Sequence, residues 1–185
     1  MTDTARLRAL SLGYAAAVDA LDGGAFAALF TGDGELWVPD PSRGPEPTVC
    51  RSGPEQLRRI PSGLARYHVT HHRVGPAEYV VTGDSATGEV TGVAHHLTAS
   101  VADPGDPADP ADPEDPAHPT GAPTASAAGP GVDTVWFLRY EDRYRRGDDG
   151  WRIARRSLHL RWIEERPVAR VGPARAPGRE RTLGA

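Results

Sequence analysis

Residues 66–75 read Arg-Tyr-His-Val-Thr-His-His-Arg-Val-Gly, and residues 88–97 read Gly-Glu-Val-Thr-Gly-Val-Ala-His-His-Leu. Apolar and polar side chains alternate in both runs, as they do in strands that are buried on one side. Between the two runs lies Thr82-Gly83-Asp84, a sequence that favours a turn. The segment from Arg66 to Leu97 therefore predicts a β-hairpin.

Histidine is concentrated in this hairpin. Five of the seven histidines of the chain lie here: His68, His71, His72, His95 and His96. Residues two apart on a strand point to the same face of a sheet, so His72 shares a face with His68, and His71 points the opposite way. His95 and His96 likewise point to opposite faces. Because imidazole titrates near neutral pH, two strands that each place a histidine on a largely apolar face could form a proton-transfer site.

Two other interpretations of the histidines stay open. A single histidine in a strand is often a half-buried residue with one satisfied hydrogen bond. A metal site would need three or four converging ligands, and the chain contains no His-x-His, Cys-x-x-Cys or His-Glu-x-x-His sequence. We therefore expect neither a metal nor another cofactor.

Composition excludes several classes of protein. The 185 residues suit one domain, and a net charge of −4 gives no basic field for nucleic acid. All 21 basic residues are arginine, which excludes chemistry that needs a lysine. Cys50 is the single cysteine, so no internal disulfide can form. The N-terminus lacks a signal-peptide pattern and no apolar run is long enough to span a membrane, so we expect a cytoplasmic protein with no membrane partner.

Helical periodicity and turn residues predict the other elements. These are helices at 5–22, 25–30 and 54–67, the last one broken at Pro61, and strands at 35–38, 135–146 and 151–164. Residues 39–47 are rich in proline and glycine and predict a loop. Asp19 lies about 140° from the centre of the apolar stripe of the first helix. It is either a solvated residue near a helix end or a carboxylate that faces a pocket, and periodicity does not choose.

Residues 101–131 have a different composition. Asp-Pro recurs every three residues from Asp103 to Asp115, and large apolar side chains are almost absent. Such a segment cannot form a core, so we expect a disordered insert between two strands. Residues 167–185 predict a flexible tail. The domain is thus predicted to span residues 1–166, with the insert at 101–131.

Several short segments, in this order, carry a resemblance to a known family. They are Tyr14 with 18–22, 72–75 (His-Arg-Val-Gly), 94–97 (Ala-His-His-Leu), 139–144 (Arg-Tyr-Glu-Asp-Arg-Tyr) and 149–153 (Asp-Gly-Trp-Arg-Ile). Together they resemble the NTF2-like (SnoaL-like) superfamily. The resemblance implies an α+β cone, in which helices cover the concave face of a curved, mainly antiparallel sheet and leave a pocket.

Within that superfamily the sequence is similar to the scytalone dehydratase and dehydrochlorinase branch. The resemblance implies that Asp19 orients His72, which acts as a general base, and that His95 is the second pocket histidine and supplies a proton. The chain departs from the branch in having Val18 before the aspartate, where the dehydratase has an aromatic residue. It also lacks the lysine of the dehydrochlorinase. The identity of the substrate therefore cannot be transferred.

The resemblance implies a cofactor-independent lyase of the dehydratase type that acts on a small, hydrophobic, oxygenated metabolite of the polyketide kind. A polyketide cyclase, a ketosteroid-isomerase-like isomerase and a non-catalytic binding or assembly module are the alternatives. We expect a small-molecule partner and a homodimer. The expected catalytic residues are Asp19, His72 and His95, and the expected substrate-binding residues are Tyr14, Trp37, Tyr140 and His96.

Overall fold

The structure is a computed structural model that describes residues 1–99 and 130–169. The helices are α1 (Asp3–Asp19), α2 (Gly23–Ala28) and α3 (Gly53–Arg58), followed by a 3-10 turn at Pro61–Leu64. The strands are β1 (Phe30–Pro39), β2 (Pro47–Ser52), β3 (Val69–Thr82), β4 (Ser85–Ala99), β5 (Gly131–Gly147) and β6 (Gly150–Val168). Apart from residues 130–131 and 167–169, the predicted insert and tail lie outside the described residues.

The six strands form one curved sheet in the order β2-β1-β6-β5-β4-β3. All neighbouring strands are antiparallel except β1 and β6. The predicted hairpin is present as β3 and β4, joined at Gly83, whose φ of 58° favours glycine. The α+β class and the mainly antiparallel sheet are therefore confirmed.

The core lies between the helices and the concave face of the sheet. From α1 it contains Leu7, Tyr14 and Val18, and α2 adds Phe26. Alternate residues of β5 provide the opposite wall: Leu138, Tyr140 and Tyr144 are all buried. This alternation is the one that the sequence predicts for residues 135–146.

Helix α1 ends three residues before the predicted position. Leu21 adopts the left-handed conformation with φ 56°, and the Asp22 N–H donates to the Ala17 carbonyl at 2.9 Å. This closes the helix in the Schellman manner, although glycine is the usual residue at the left-handed position. The Asp22 carboxylate then caps α2 by accepting from the Ala25 N–H at 2.8 Å. Asp19 becomes the last residue of α1.

Two further predictions differ from the structure in detail. Residues 47–52, which the sequence assigned to the end of a loop and the residues after it, form the edge strand β2 and pair only with β1. No residue of β2 is buried, so its sequence does not alternate between apolar and polar side chains and does not predict a strand. The helix predicted at 54–67 is divided into α3 and the 3-10 turn, because Pro61 cannot continue an α-helix.

A buried ion pair joins β6 to β5 inside the core. The Arg156 guanidinium donates to both carboxylate oxygens of Asp142, at 2.8 and 2.6 Å, and both side chains are 1% exposed or less. Tyr144 donates to Asp142 at 2.5 Å, and Arg156 donates to the Ser11 hydroxyl at 3.0 Å. Each member of the network therefore has a partner that offsets part of its loss of hydration.

We expect Asp142→Ala to lower the free energy of unfolding by about 3–5 kcal/mol, because it leaves the Arg156 charge buried without a counterion. The neighbouring Glu141 forms an exposed pair with Arg139 on the opposite face. Glu141→Ala is the matched control and should cost at most about 1 kcal/mol. Urea denaturation measures both variants, and equal losses would contradict the role assigned to the buried pair.

Candidate active site

Asp19 joins the end of α1 to strand β3 through three hydrogen bonds. Its Oδ1 lies 2.7 Å from Nδ1 of His72 and accepts from the Thr70 hydroxyl at 3.0 Å. Its Oδ2 accepts from the backbone N–H of His72 at 2.8 Å. The structure therefore contradicts the interpretation of Asp19 as a merely solvated residue, since its carboxylate faces strand β3.

The position of β3 in the sheet explains this contact. Since β3 is an edge strand, half of its backbone N–H groups point away from β4 and need another partner. The Asp19 carboxylate satisfies one of them and holds the His72 ring at the same time. Both the backbone and the side chain of His72 are thereby fixed relative to α1.

The Asp19 carboxylate stays ionised in this environment. Burial acts to raise its pKa, but the hydrogen bonds from the His72 ring, the His72 backbone and Thr70 outweigh that effect and hold the pKa below 3.8. An ionised carboxylate only accepts hydrogen bonds, so Nδ1 of His72 carries the proton. The neutral His72 ring then presents an unprotonated Nε2 on its other side.

A cavity of about 400 Å³ lies between the sheet and the helices. We call it the cone cavity, and its lining residues are Tyr14, Val18, Leu36, Val38, Pro39, Arg51, Ile60, Gly63, Leu64, Arg66, Tyr67, His72, Ala94, His96, Trp136, Leu138, Tyr140 and Leu158. Its lining is mostly apolar and aromatic, with two imidazoles, which is the usual character of a small-molecule site. A larger hollow of about 680 Å³ beside Asp33 and Arg145 includes no histidine among the described residues around it.

His96 is the second histidine of the cone cavity. Its ring is perpendicular to that of His72, at a centroid distance of 5.7 Å, and its Nδ1 lies 3.3 Å from the Thr134 carbonyl. A carbonyl only accepts, so Nδ1 carries the proton. Burial, together with the nearby His72, lowers the pKa of His96 to about 4. His96 is therefore a neutral residue at pH 7 whose Nε2 can accept a hydrogen bond.

Tyr14 and Tyr140 lie at the floor of the cone cavity, next to the buried ion pair. Their rings meet edge to face at 5.9 Å, and the Arg156 guanidinium stacks on both, at 4.4 and 4.6 Å from the ring centres. Burial raises the pKa of Tyr14 to about 12 and raises that of Tyr140 further. Both hydroxyls therefore keep their protons and can act as hydrogen-bond donors.

The structure does not bring His95 into the cavity. His95 pairs with Asp133 at 2.8 Å and faces His71, on the outer face of the sheet. The expectation that His95 is the second pocket histidine is thus corrected, since the alternation of β4 directs His96 inward instead.

Trp37 is also outside the cavity. Its indole N–H donates to Glu35 at 2.9 Å and its ring stacks on Arg155, while its neighbours Leu36 and Val38 line the cavity. The expectation that Trp37 binds substrate is corrected for the same reason of strand alternation.

Three contributors to this region were missed by the sequence interpretation. Arg51 and Arg66 line the cone cavity, and Asp133 is the partner of His95. No periodic pattern marks the arginines, because Arg51 lies in a short edge strand and Arg66 follows a 3-10 turn. Asp133 lies between the low-complexity insert and the strand predicted at 135–146, so the sequence assigns it to no element, whereas the structure includes it in β5.

Residues 1–99 and 130–169 contain neither a cluster of metal ligands nor a membrane-spanning helix. No group of three His, Cys, Asp or Glu side chains is arranged to hold a metal ion. No helix has the length and apolar character needed to cross a membrane.

The fold and the histidine-bearing cavity together define a class of protein. Residues 1–157 match the SnoaL-like domain family, and the chain belongs to that family. The NTF2-like superfamily expected from the sequence is thereby confirmed. No curated protein matches the sequence.

Solved structures share the fold at low sequence identity. A Mycobacterium tuberculosis protein of unknown function is 23% identical, with a TM-score of 0.58 over 85% of this chain and 70% of its own. A candidate scytalone dehydratase from Novosphingobium aromaticivorans is 17% identical, with a TM-score of 0.58 over 94% of this chain and 91% of its own. A type 2 hexachlorocyclohexane dehydrochlorinase is 16% identical, with a TM-score of 0.61 over 95% and 96%. The TM-scores show a common fold. At these sequence identities the comparison does not transfer an activity, so the chemistry has to be argued from the site itself.

We expect His96 to titrate near pH 4, well below the ordinary value of 6.5. Between those two pH values the unfolded chain binds more protons than the folded chain, so the folded state loses stability as the pH falls through this range. NMR titration of the His96 ring, with His96→Asn to identify its signal, measures the midpoint. Urea denaturation at pH 7 and pH 5 should show a smaller pH effect in His96→Asn. A His96 midpoint near or above pH 6 would contradict the assignment.

Proposed function

We propose that the protein is a cofactor-independent lyase that removes water from a small, hydrophobic, oxygenated metabolite bound in the cone cavity. The observation that supports this most is the 2.7 Å contact between Asp19 and His72, because it supplies an oriented base at the wall of an apolar cavity. Similarity of fold to a candidate scytalone dehydratase and to a dehydrochlorinase is consistent with an elimination.

In the first step, Nε2 of His72 takes a proton from the carbon next to a carbonyl of the substrate. Neutral imidazole is an efficient base at pH 7, and the proton on Nδ1 stays in its hydrogen bond to Asp19. The Asp19 carboxylate and the negative end of the α1 dipole both stabilise the imidazolium that forms.

In the second step, the same His72 returns the proton to the departing hydroxyl. The carbon–hydrogen bond electrons form the new double bond, the carbon–oxygen bond breaks, and the hydroxyl leaves as water. His96 does not supply this proton, because with a pKa of about 4 its ring is neutral at pH 7 and holds no imidazolium proton to donate. It instead accepts a hydrogen bond from the hydroxyl through Nε2 and so orients it. Since one imidazole serves as base and acid, the elimination is syn.

The hydroxyls of Tyr14 and Tyr140 are the candidate donors to the carbonyl oxygen, where negative charge develops. Their raised pKa values keep them protonated at pH 7. The Arg156 guanidinium stacked on both rings adds a positive field on the side away from the cavity. A hydrogen bond that strengthens as charge develops lowers the barrier of the first step.

The same base could serve a cyclase or an isomerase, because each begins by removing a proton next to a carbonyl. The favoured elimination has a separate product signature. Substrate candidates, β-hydroxy ketones with an aromatic or polyketide-like body, should lose 18 mass units in the presence of the protein. Gain of deuterium from D₂O without that loss would instead identify isomerisation, and neither change across the panel would favour a binding module.

We also propose a homodimer formed through the outer face of the sheet. Phe137 and Trp162 stack there at 4.2 Å, and Trp162 is 51% exposed. Large exposed aromatic side chains are frequent at protein interfaces. Light scattering should give about twice the 19.7 kDa mass of one chain, and Trp162→Ser should shift the protein toward that single mass. A wild-type protein of 19.7 kDa would overturn the proposal.

Once a substrate is identified, kcat can be measured for variants of the dyad of Asp19 and His72. We expect Asp19→Asn and His72→Ala each to lower kcat by at least about 100-fold. The two residues act as a unit, so the double variant should lose little more than His72→Ala alone. Steady-state kinetics on the three variants measures this coupling.

His95→Asn is the matched control, since it removes another histidine–carboxylate pair, which joins β4 to β5 on the outer face of the sheet. It should keep wild-type turnover, whereas His96→Asn should reduce it. Losses from Asp19→Asn and His72→Ala that simply multiply, or a large loss from His95→Asn, would contradict the mechanism.

A further inference from the structure

Two arginines stand at the mouth of the cone cavity. Arg51 and Arg66 are exposed, whereas Tyr14, Ala94 and Tyr140 on the same lining are buried. The gradient of exposure along the lining places the arginines at the entrance and the aromatic residues at the floor. The His72 side chain is 10% exposed, and His96 is as deeply buried as the two tyrosines.

Neither arginine is neutralised by another residue that the structure describes. Within the described residues, no carboxylate forms an ion pair with Arg51 or Arg66. One donor of Arg66 reaches the Tyr67 hydroxyl at 3.0 Å, and its guanidinium stacks on that ring at 4.9 Å. One donor of Arg51 reaches the Cys50 carbonyl at 3.0 Å. A guanidinium has five N–H donors, so most of those at the mouth are free for a ligand.

The other charges of the cavity do not cancel this pair. Asp19 is negatively charged but is not part of the cavity lining, and its oxygens accept from His72 and Thr70, while His96 is neutral at pH 7. Arg156 and Asp142 neutralise each other beneath the floor. The lining is therefore cationic at its entrance in a chain whose net charge is −4. Such a local field selects the sign of the ligand and steers its approach.

We infer that the ligand of the cone cavity is an anion with an aromatic body. Its carboxylate, or another anionic oxygen group, binds Arg51 and Arg66 at the mouth, and its ring lies against Trp136 and the tyrosines of the floor. Guanidinium groups bind carboxylates through paired, charge-assisted hydrogen bonds. This inference deepens the proposed function, because it concerns the substrate of the same site, but its test measures binding rather than turnover.

The test uses two probes of nearly equal shape, 2-naphthoate and the neutral ketone 2-acetylnaphthalene. Isothermal titration calorimetry on the full chain measures their affinities at low and moderate salt. The wild-type protein should bind 2-naphthoate about tenfold more tightly at low salt, and the preference should shrink as salt rises. Arg51→Gln/Arg66→Gln should remove the preference while keeping the affinity for the ketone.

Arg143→Gln is the control for a charge removed elsewhere. Arg143 is exposed on the outer face of the sheet and forms no ion pair with a described residue, so this variant removes one positive charge away from the cavity, whereas the double variant removes two at its mouth. This variant should keep the preference for 2-naphthoate, and so should His72→Ala. The protein could show the preference for 2-naphthoate and yet dehydrate none of the substrate candidates. That result would support this inference and refute only the lyase proposal.

Three results would overturn the inference. The wild-type protein could bind both probes equally, which would show that the arginines do not contact the ligand. The preference could fall in Arg143→Gln as much as in the double variant, which would show a diffuse field. Finally, it could survive in the double variant and vanish in His72→Ala, which would place the anion at the imidazole.

Discussion

The contact between Asp19 and His72 is the constraint on which the site depends. It forms where the C-terminus of α1 meets the free edge of β3, and it satisfies a backbone N–H and an imidazole N–H at once. A carboxylate at the negative end of a helix dipole is unfavourable by itself. Three hydrogen bonds from β3 offset that cost and hold the carboxylate against the His72 ring, so the base is oriented only while helix and strand are in contact. Stability of the fold and readiness of the base are therefore linked.

Beneath the cavity, the buried pair of Arg156 and Asp142 serves a second purpose besides stability. The guanidinium lies against Tyr14 and Tyr140, so the tyrosine rings are held between a cation and the ligand space. The floor of the cavity is rigid, and His72 is held at the edge of the sheet. The mouth is therefore the part of the site whose residues can change most easily. Arg51 lies in the short edge strand β2 and Arg66 follows the 3-10 turn, and the sequences of these short elements can change without disturbing the core.

The alternation of side chains along β4 decides which of its two histidines faces the cavity. In β4 the inward series Ala86, Val90, Ala94 and His96 is buried, and the outward series that contains Glu89 and His95 is not. Extending the alternation back to Glu89 would have directed His96 to the cavity from sequence alone. The resemblance to a family placed His95 there instead, one residue away, and a shift of one residue reverses the face.

The sequence alone determined the α+β class, the histidine hairpin, the alternation of β5 and the turn between β5 and β6, because these follow from local alternation and turn residues. The far ends of β5 and β6 each extend four residues beyond the predicted strands. The sequence also named Asp19 and His72, though only through a resemblance. Tertiary structure decided whether their side chains meet, since a helix end and a sheet edge are brought together by packing that no local pattern encodes. It likewise brought Arg51 and Arg66 to one entrance and Arg156 to Asp142, because contacts between residues far apart in the chain are set by the order of strands in the sheet.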